Sequence, residues 1–292
     1  MALQCANPIT SPRLAALALV VAALCLRSTI GHAQTPTEAR VALLEQMRSL
    51  AQETRIGIVD SKESVELVKT PVFRYDDQPR RFIDATLWAW TVQGRPVAFQ
   101  KIEAMEFGDA KSPTSKWQYC FASMSPDLLH VEWPGDRRFV SKESGIEARP
   151  LPGAPEPAEG NIQRKRQARE MVRMFSGRIV TSPRANTREQ MRLLTTPLLE
   201  FADPRTKEYQ GAVFGFSTNG TNPDVLLLLE IRTEGEKSVP TWHYAPVRMT
   251  CCDATLAYED REVWKIEWVN GTEAPFPTWT FFNSPRAPIA GE

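Results

Sequence analysis

The sequence predicts an α+β fold of two tandem similar units, each placing one or two helices on an antiparallel meander sheet of four to five strands. Three observations predict it. The stretches Ala85–Gly94 and Gly211–Gly220 read as two copies of one strand and turn, 126 residues apart. In each copy bulky aromatics alternate with small or aliphatic residues, Trp88 and Trp90 in the first, Phe214 and Phe216 in the second, which is the period of a half-buried strand. Gly94 and Asn219-Gly220 then supply the positive φ that a tight hairpin turn requires.

The self-similarity extends in both directions. Upstream, Thr70-Pro71, Tyr75 and Asp77 lie over Thr196-Pro197, Phe201 and Asp203. Downstream, Glu103 lies over Glu230, Trp117-Gln118-Tyr119 over Trp242-His243-Tyr244, Trp133 over Tyr258 and Phe139 over Trp264. Unrelated strands share alternation, but ordered Thr-Pro, Gly and Trp-x-Tyr marks at one period point to an internal repeat.

Taken in chain order, residues 1–33 carry Arg13, an unbroken apolar run from Leu14 to Leu26, and small residues at Gly31 and Ala33. That is the form of a secretory signal peptide, since the run falls short of the ~20 residues needed to cross a bilayer. The mature chain is expected to start at Gln34, to be exported (periplasmic, cell-surface or secreted), and to lack a transmembrane segment. The first unit spans 34–149. Thr35-Pro36-Thr37-Glu38 has capping-box form, and Leu43, Leu44, Met47, Leu50 and Ala51 make one apolar helical stripe. Further short helices are expected over 64–68 and 187–194, ending before the Thr-Pro pairs. Residues 150–160, with Pro150, Pro152, Pro155 and Pro157, read as a stiff linker. The second unit spans 161–276, with Ala168, Met171, Val172 and Phe175 as its helical stripe. Residues 277–292 read as a partly disordered tail.

Composition narrows the function. Removing residues 1–33 takes Arg13 and Arg27 and no acid from 35 basic and 35 acidic side chains, leaving a net charge of −2. A nucleic-acid binder would need a basic face, and the cluster Arg164-Lys165-Arg166 reads as a solvated helix face. Three cysteines remain, Cys120, Cys251 and Cys252. Their odd number is no disulfide framework, and either a bridge from Cys120 to the vicinal pair or buried free thiols would satisfy the pattern.

No motif marks a chemistry. His130 and His243 hold non-equivalent places in the repeat, and no His-x₃-His or Cys-x₂-Cys spacing announces a metal. Gly-x-Ser-x-Gly and the phosphate and dinucleotide loops are missing, so no cofactor is expected. Two enzymatic routes stay open: Glu103 and Glu230 as paired carboxylates, or a cysteine with a histidine base. Against the first, each Glu would face water late in a strand. The recurring aromatics fit a core against the helix stripes. Asymmetry between the copies gathers on the third strands, so a ligand is expected there, with Trp117 and Trp242 stacking and His243 as polar contact. Asn219-Gly220-Thr221 and Asn270-Gly271-Thr272 match glycosylation acceptors and also read as turns.

At Thr70–Asp77, Ala85–Ala98, Trp117-Gln118-Tyr119 and Arg261–Trp264 the chain resembles a group of uncharacterised secreted proteins of planctomycete bacteria, over most of its mature length. The resemblance implies bacterial export and a helix-plus-sheet repeat. It carries over no activity and no functional residue. The resulting expectation is a non-catalytic binding or structural protein of the periplasm or cell surface with an envelope partner or ligand, the alternative being a hydrolase of cell-envelope or extracellular polymer.

Overall fold

The computed structural model describes residues 36–107, 114–182, 187–218, 222–233, 239–269 and 276–287. The expected signal peptide, the Asn219-Gly220 turn, both glycosylation acceptors and the last five residues lie outside them. In order, the described elements are α1 (Pro36–Glu53), β1 (Arg55–Ile58), β2 (Glu66–Leu67), β3 (Phe73–Asp77), a 3₁₀ turn (Gln78–Arg80), β4 (Phe82–Val92), β5 (Arg95–Phe107), β6 (Thr114–Ser123), β7 (Leu129–Trp133), β8 (Arg137–Val140) and β9 (Arg149–Pro150). There follow α2 (Asn161–Val172), β10 (Phe175–Ser182), β11 (Thr187–Ala202), β12 (Tyr209–Ser217), β13 (Pro223–Arg232), β14 (Thr241–Arg248), β15 (Asp253–Tyr258), β16 (Arg261–Ile266) and β17 (Trp279–Pro285).

This corrects the α+β expectation. The protein is mostly β, with large antiparallel sheets that include a half-barrel, and only two α-helices among the described residues. The expected helix over 187–194 is the first half of the long strand β11, because β10 offers it a partner edge, with Gly177 opposite Met191 and Ile179 opposite Glu189. Pairing decided between two readings that local composition left balanced. Residues 64–68 are extended and pair with β4 at Glu66 and Leu67. The segment placed in a partly disordered tail supplies β17, whose Trp279 and Phe282 are buried and whose backbone pairs with β6 from Ala122 to Lys116.

The strands run β17-β6-β5-β4-β2 in one sheet, with β3 also on β4, and β16-β15-β10-β11-β12-β13-β14-β9 in another; β1-β7-β8 form a third. The first hairpin closes at Gln93 and Gly94, both at positive φ (51° and 87°), which is the backbone of a two-residue turn matched to strand twist. Registers in the two meanders correspond. Ala85, Glu103 and Gln118 stand side by side across β4, β5 and β6, as Gly211, Glu230 and His243 do across β12, β13 and β14. Likewise Leu87, Lys101 and Cys120 correspond to Val213, Leu228 and Ala245.

Alternation separates two faces on each meander. Trp88, Trp90, Ile102, Trp117, Tyr119 and Phe121 pack with Leu43, Met47 and Ala51 of α1, so the predicted helical stripe is buried. Phe214, Phe216, Leu227, Leu229, Trp242 and Tyr244 pack with Ala168, Met171 and Val172 of α2. The opposite faces meet each other: Leu87, Ala89, Phe99, Cys120 and Ala122 share a third cluster with Val213, Leu226, Leu228, Ala245 and Val247. Within residues 150–160, Leu151 is buried in the second core and donates its N–H to the Trp242 carbonyl. No helix among the described residues is long and apolar enough to cross a membrane.

Candidate functional site

Where the two meanders face each other, the apolar cluster is interrupted by polar side chains that bond from one half to the other. The Arg80 guanidinium pairs with Asp224 (2.9 Å) and Asp77 (3.4 Å) and donates to Thr218 Oγ1 (2.8 Å). Burial works against the Arg80 charge, but Asp224 and Asp77 outweigh it and its pKa is raised. Asn222 Nδ2 donates to Asp77 (3.3 Å), and Arg95 pairs with Glu230 (3.0 Å).

At the centre of this lattice Lys101 is 2% exposed. Its ammonium donates to Asn222 Oδ1 (2.7 Å) and to the Met249 carbonyl (3.0 Å), and among the described residues no carboxylate lies within ion-pair reach of it. A buried ammonium held by neutral acceptors alone carries a desolvation cost that ordinary core design avoids. Its register partner in the second half is Leu228, so nothing in the sheet requires a charge here.

Lys101 lines a cavity of about 160 Å³ built from both halves, together with Arg80, Glu103, Cys120, Asn222 and Cys251. Glu103 lies two residues along β5 and so on the same face. Its carboxylate accepts from Tyr75 Oη (2.6 Å) and Gln118 Nε2 (2.8 Å), and burial together with the Glu103 charge pushes the Tyr75 phenol well above its usual range. Cys120 is enclosed: Trp279 Nε1 donates to its sulfur (3.0 Å), and burial raises its pKa to about 12. Cys251 and Cys252 sit half-buried on the turn after β14. Among the described residues no three His, Cys, Asp or Glu side chains cluster closely enough to hold a metal ion.

Of the residues the sequence nominated, the structure brings Glu103 and all three cysteines to this cavity. Trp117 and Trp242 are buried on the helix-facing sides of their sheets, at 6% and 1% exposure, and belong to the two cores. His243, expected as a ligand's polar contact, is buried at 1% exposure, and its Nε2 bonds Thr241 Oγ1 (3.0 Å). Glu103 and Glu230 were expected to face water, and both are buried. They do not share surroundings: Glu230 is bound by Arg95 and Arg232, while Glu103 meets neutral donors. Neither histidine lines the cysteine cavity; His130 is exposed on β7 beside Gly57. Sequence reasoning passed over Arg80, Lys101, Asn222 and Asp224. One signal was available, a lysine on β5 where the aligned position of the second stretch is Leu228.

No protein-family model, curated protein or solved structure matches the chain.

Both tryptophans are packing residues here. Truncation to Trp117→Ala or Trp242→Ala is expected to cost about 3–5 kcal/mol of unfolding free energy, measured by denaturant titration. A loss below about 1 kcal/mol for either would place that ring outside the core.

Proposed function

We propose that the protein is an exported, non-catalytic binding protein that seats a small polar ligand in the cavity at the junction of its two halves. The observation that carries this reading is the Lys101 ammonium, buried against that cavity with no carboxylate partner among the described residues, at a position where the corresponding strand has leucine. A ligand acceptor would complete its hydrogen bonding, and a buried charge awaiting its complement is how small polar sites obtain specificity. At about 160 Å³ the cavity is below the ~300 Å³ at which drug-sized sites begin, so it suits a few heavy atoms rather than a polymer chain. Less supports the hydrolase alternative, since the two glutamates have separate partners and, among the described residues, no histidine lines the cysteine cavity.

Export rests on the charged start, apolar run and small-residue pair of residues 1–33. Those residues, fused to a reporter active only outside the cytoplasm, are expected to give activity, and the mature chain is expected to begin at Gln34. Recovery of an uncleaved chain from the cytoplasm would contradict export.

For binding, a thermal-shift and calorimetric screen of amino acids, small carboxylates, amines and monosaccharides is expected to find a saturable ligand. Lys101→Met should remain folded, because Leu228 shows that an apolar side chain fits this register, and should weaken that ligand at least tenfold. Unchanged affinity in Lys101→Met would remove the cavity as its site.

A further inference from the structure

Three thiols border one small cavity, and the reading above gives them no task. They are not equivalent. Cys120 is buried under Trp279 and, with its pKa near 12, stays protonated at neutral pH. Cys251 and Cys252 stand at the edge of the cavity on a turn held by defined bonds: Thr250 Oγ1 accepts the Cys252 N–H (3.2 Å), and the Val269 N–H donates to the Cys251 carbonyl (2.9 Å). The neighbouring Cys252 thiol lowers the Cys251 pKa to about 7 against its desolvation, with the Arg80 and Arg248 guanidinium groups adding to the effect. Cys251 and burial in turn raise Cys252. The other charged groups on the cavity wall are Lys101, Glu103 and Asp224.

Adjacent residues joined by a trans peptide have Cα atoms about 3.8 Å apart, inside the ~4.4 Å lower end for unstrained disulfides. A Cys251–Cys252 bridge would therefore be strained, and Cys251 is left as a half-buried thiol lining the cavity. A thiol attacks disulfides best when its pKa is near the ambient pH, and outside the cytoplasm small thiols persist as disulfides.

We propose that Cys251 is a covalent site for a small disulfide-bearing molecule, whose attached half occupies the junction cavity. The Cys251 thiolate attacks one sulfur of R–S–S–R; a Cys251–S–S–R bond forms, the R–S–S–R sulfur–sulfur bond breaks, and the departing R–S⁻ takes a proton from water. The small disulfide is itself the oxidant. Reversal by an incoming thiolate releases the ligand, so the site stores and returns a thiol. This deepens the binding reading, since it rests on the same cavity.

The test exposes the reduced, folded mature chain to cystamine and, separately, to cystine between pH 5 and 9, with adducts located by peptide mass mapping. One adduct per chain is expected, on Cys251, with a rate midpoint near pH 7. Cys251→Ser should abolish it. Cys252→Ala should retain it with the midpoint moved toward the ordinary thiol value of about 8.5. Cys120 should react only after denaturation. Equal labelling of Cys251 and Cys252, or a wild-type midpoint at the ordinary value, would overturn the proposal, as would a Cys251 that reacts only in the unfolded chain. With cysteine and methionine left out, the non-covalent screen uses ligands without sulfur, so its failure with a selective adduct contradicts only that reading, and its success without an adduct contradicts only this one.

Discussion

Ala89, Ala122 and Ala245 present so little bulk on the inward faces of their strands that Leu87, Val213, Leu226 and Leu228 can pack from both meanders into one layer. On this meeting of two sheets the other features depend. It sends Trp88, Trp90, Trp117, Phe214, Phe216 and Trp242 to the opposite faces, against α1 and α2. It also removes Asp224, Lys101, Glu103 and Glu230 from bulk water, so that each must find partners within the junction. Cross-half bonds such as Arg80–Asp224, Arg95–Glu230 and Lys101–Asn222 are as much a consequence of that face-to-face contact as a support for it.

Buried charge of this kind is poor evidence for net stability, because desolvation consumes much of the attraction. It does make the arrangement specific. Removing one partner leaves the other stranded, so only one relative placement of the sheets satisfies the set. β17 adds to this: the chain returns from the second half and covers the edge of β6, placing Trp279 over Cys120 and beside the cavity. The cavity is thus closed by three parts of the chain far apart in sequence, which is a geometry suited to holding a small group away from solvent.

Much of the sheet interior was legible in the residues. Period-two alternation placed β4 and β12, Gly94 marked its turn, and the stripe of Leu43, Met47 and Ala51 marked the buried side of α1. What failed did so for a common physical reason. The helical reading of residues 187–194 and the placing of residues 279–285 in a tail gave way to pairing with β10 and β6, partners supplied by tertiary structure. The site was half legible. Asymmetry between the halves pointed to the third strands, and Cys120 and Cys251 do lie at the cavity, but alternation alone does not say which face is aromatic core and which is junction. Trp117 and Trp242 lie in the cores that the aromatic pattern already fitted, and His243 is buried instead of offering a polar contact. Lys101 could have been noticed against Leu228, whereas its bond to Asn222 links strands that only folding brings together.

The central claim is that the two halves form one cooperative body through their shared face. Hydrogen exchange read by mass spectrometry across a denaturant series tests it directly, following peptides of β4–β6 and of β12–β14 in the same sample. Both sets are expected to open together in a single transition, and Arg80→Ala, which strands the buried Asp224, should lower both by the same amount, about 2–3 kcal/mol after allowing for the partial exposure of Arg80. Separate transitions for the two sets, or an Arg80→Ala effect confined to one of them, would contradict the account.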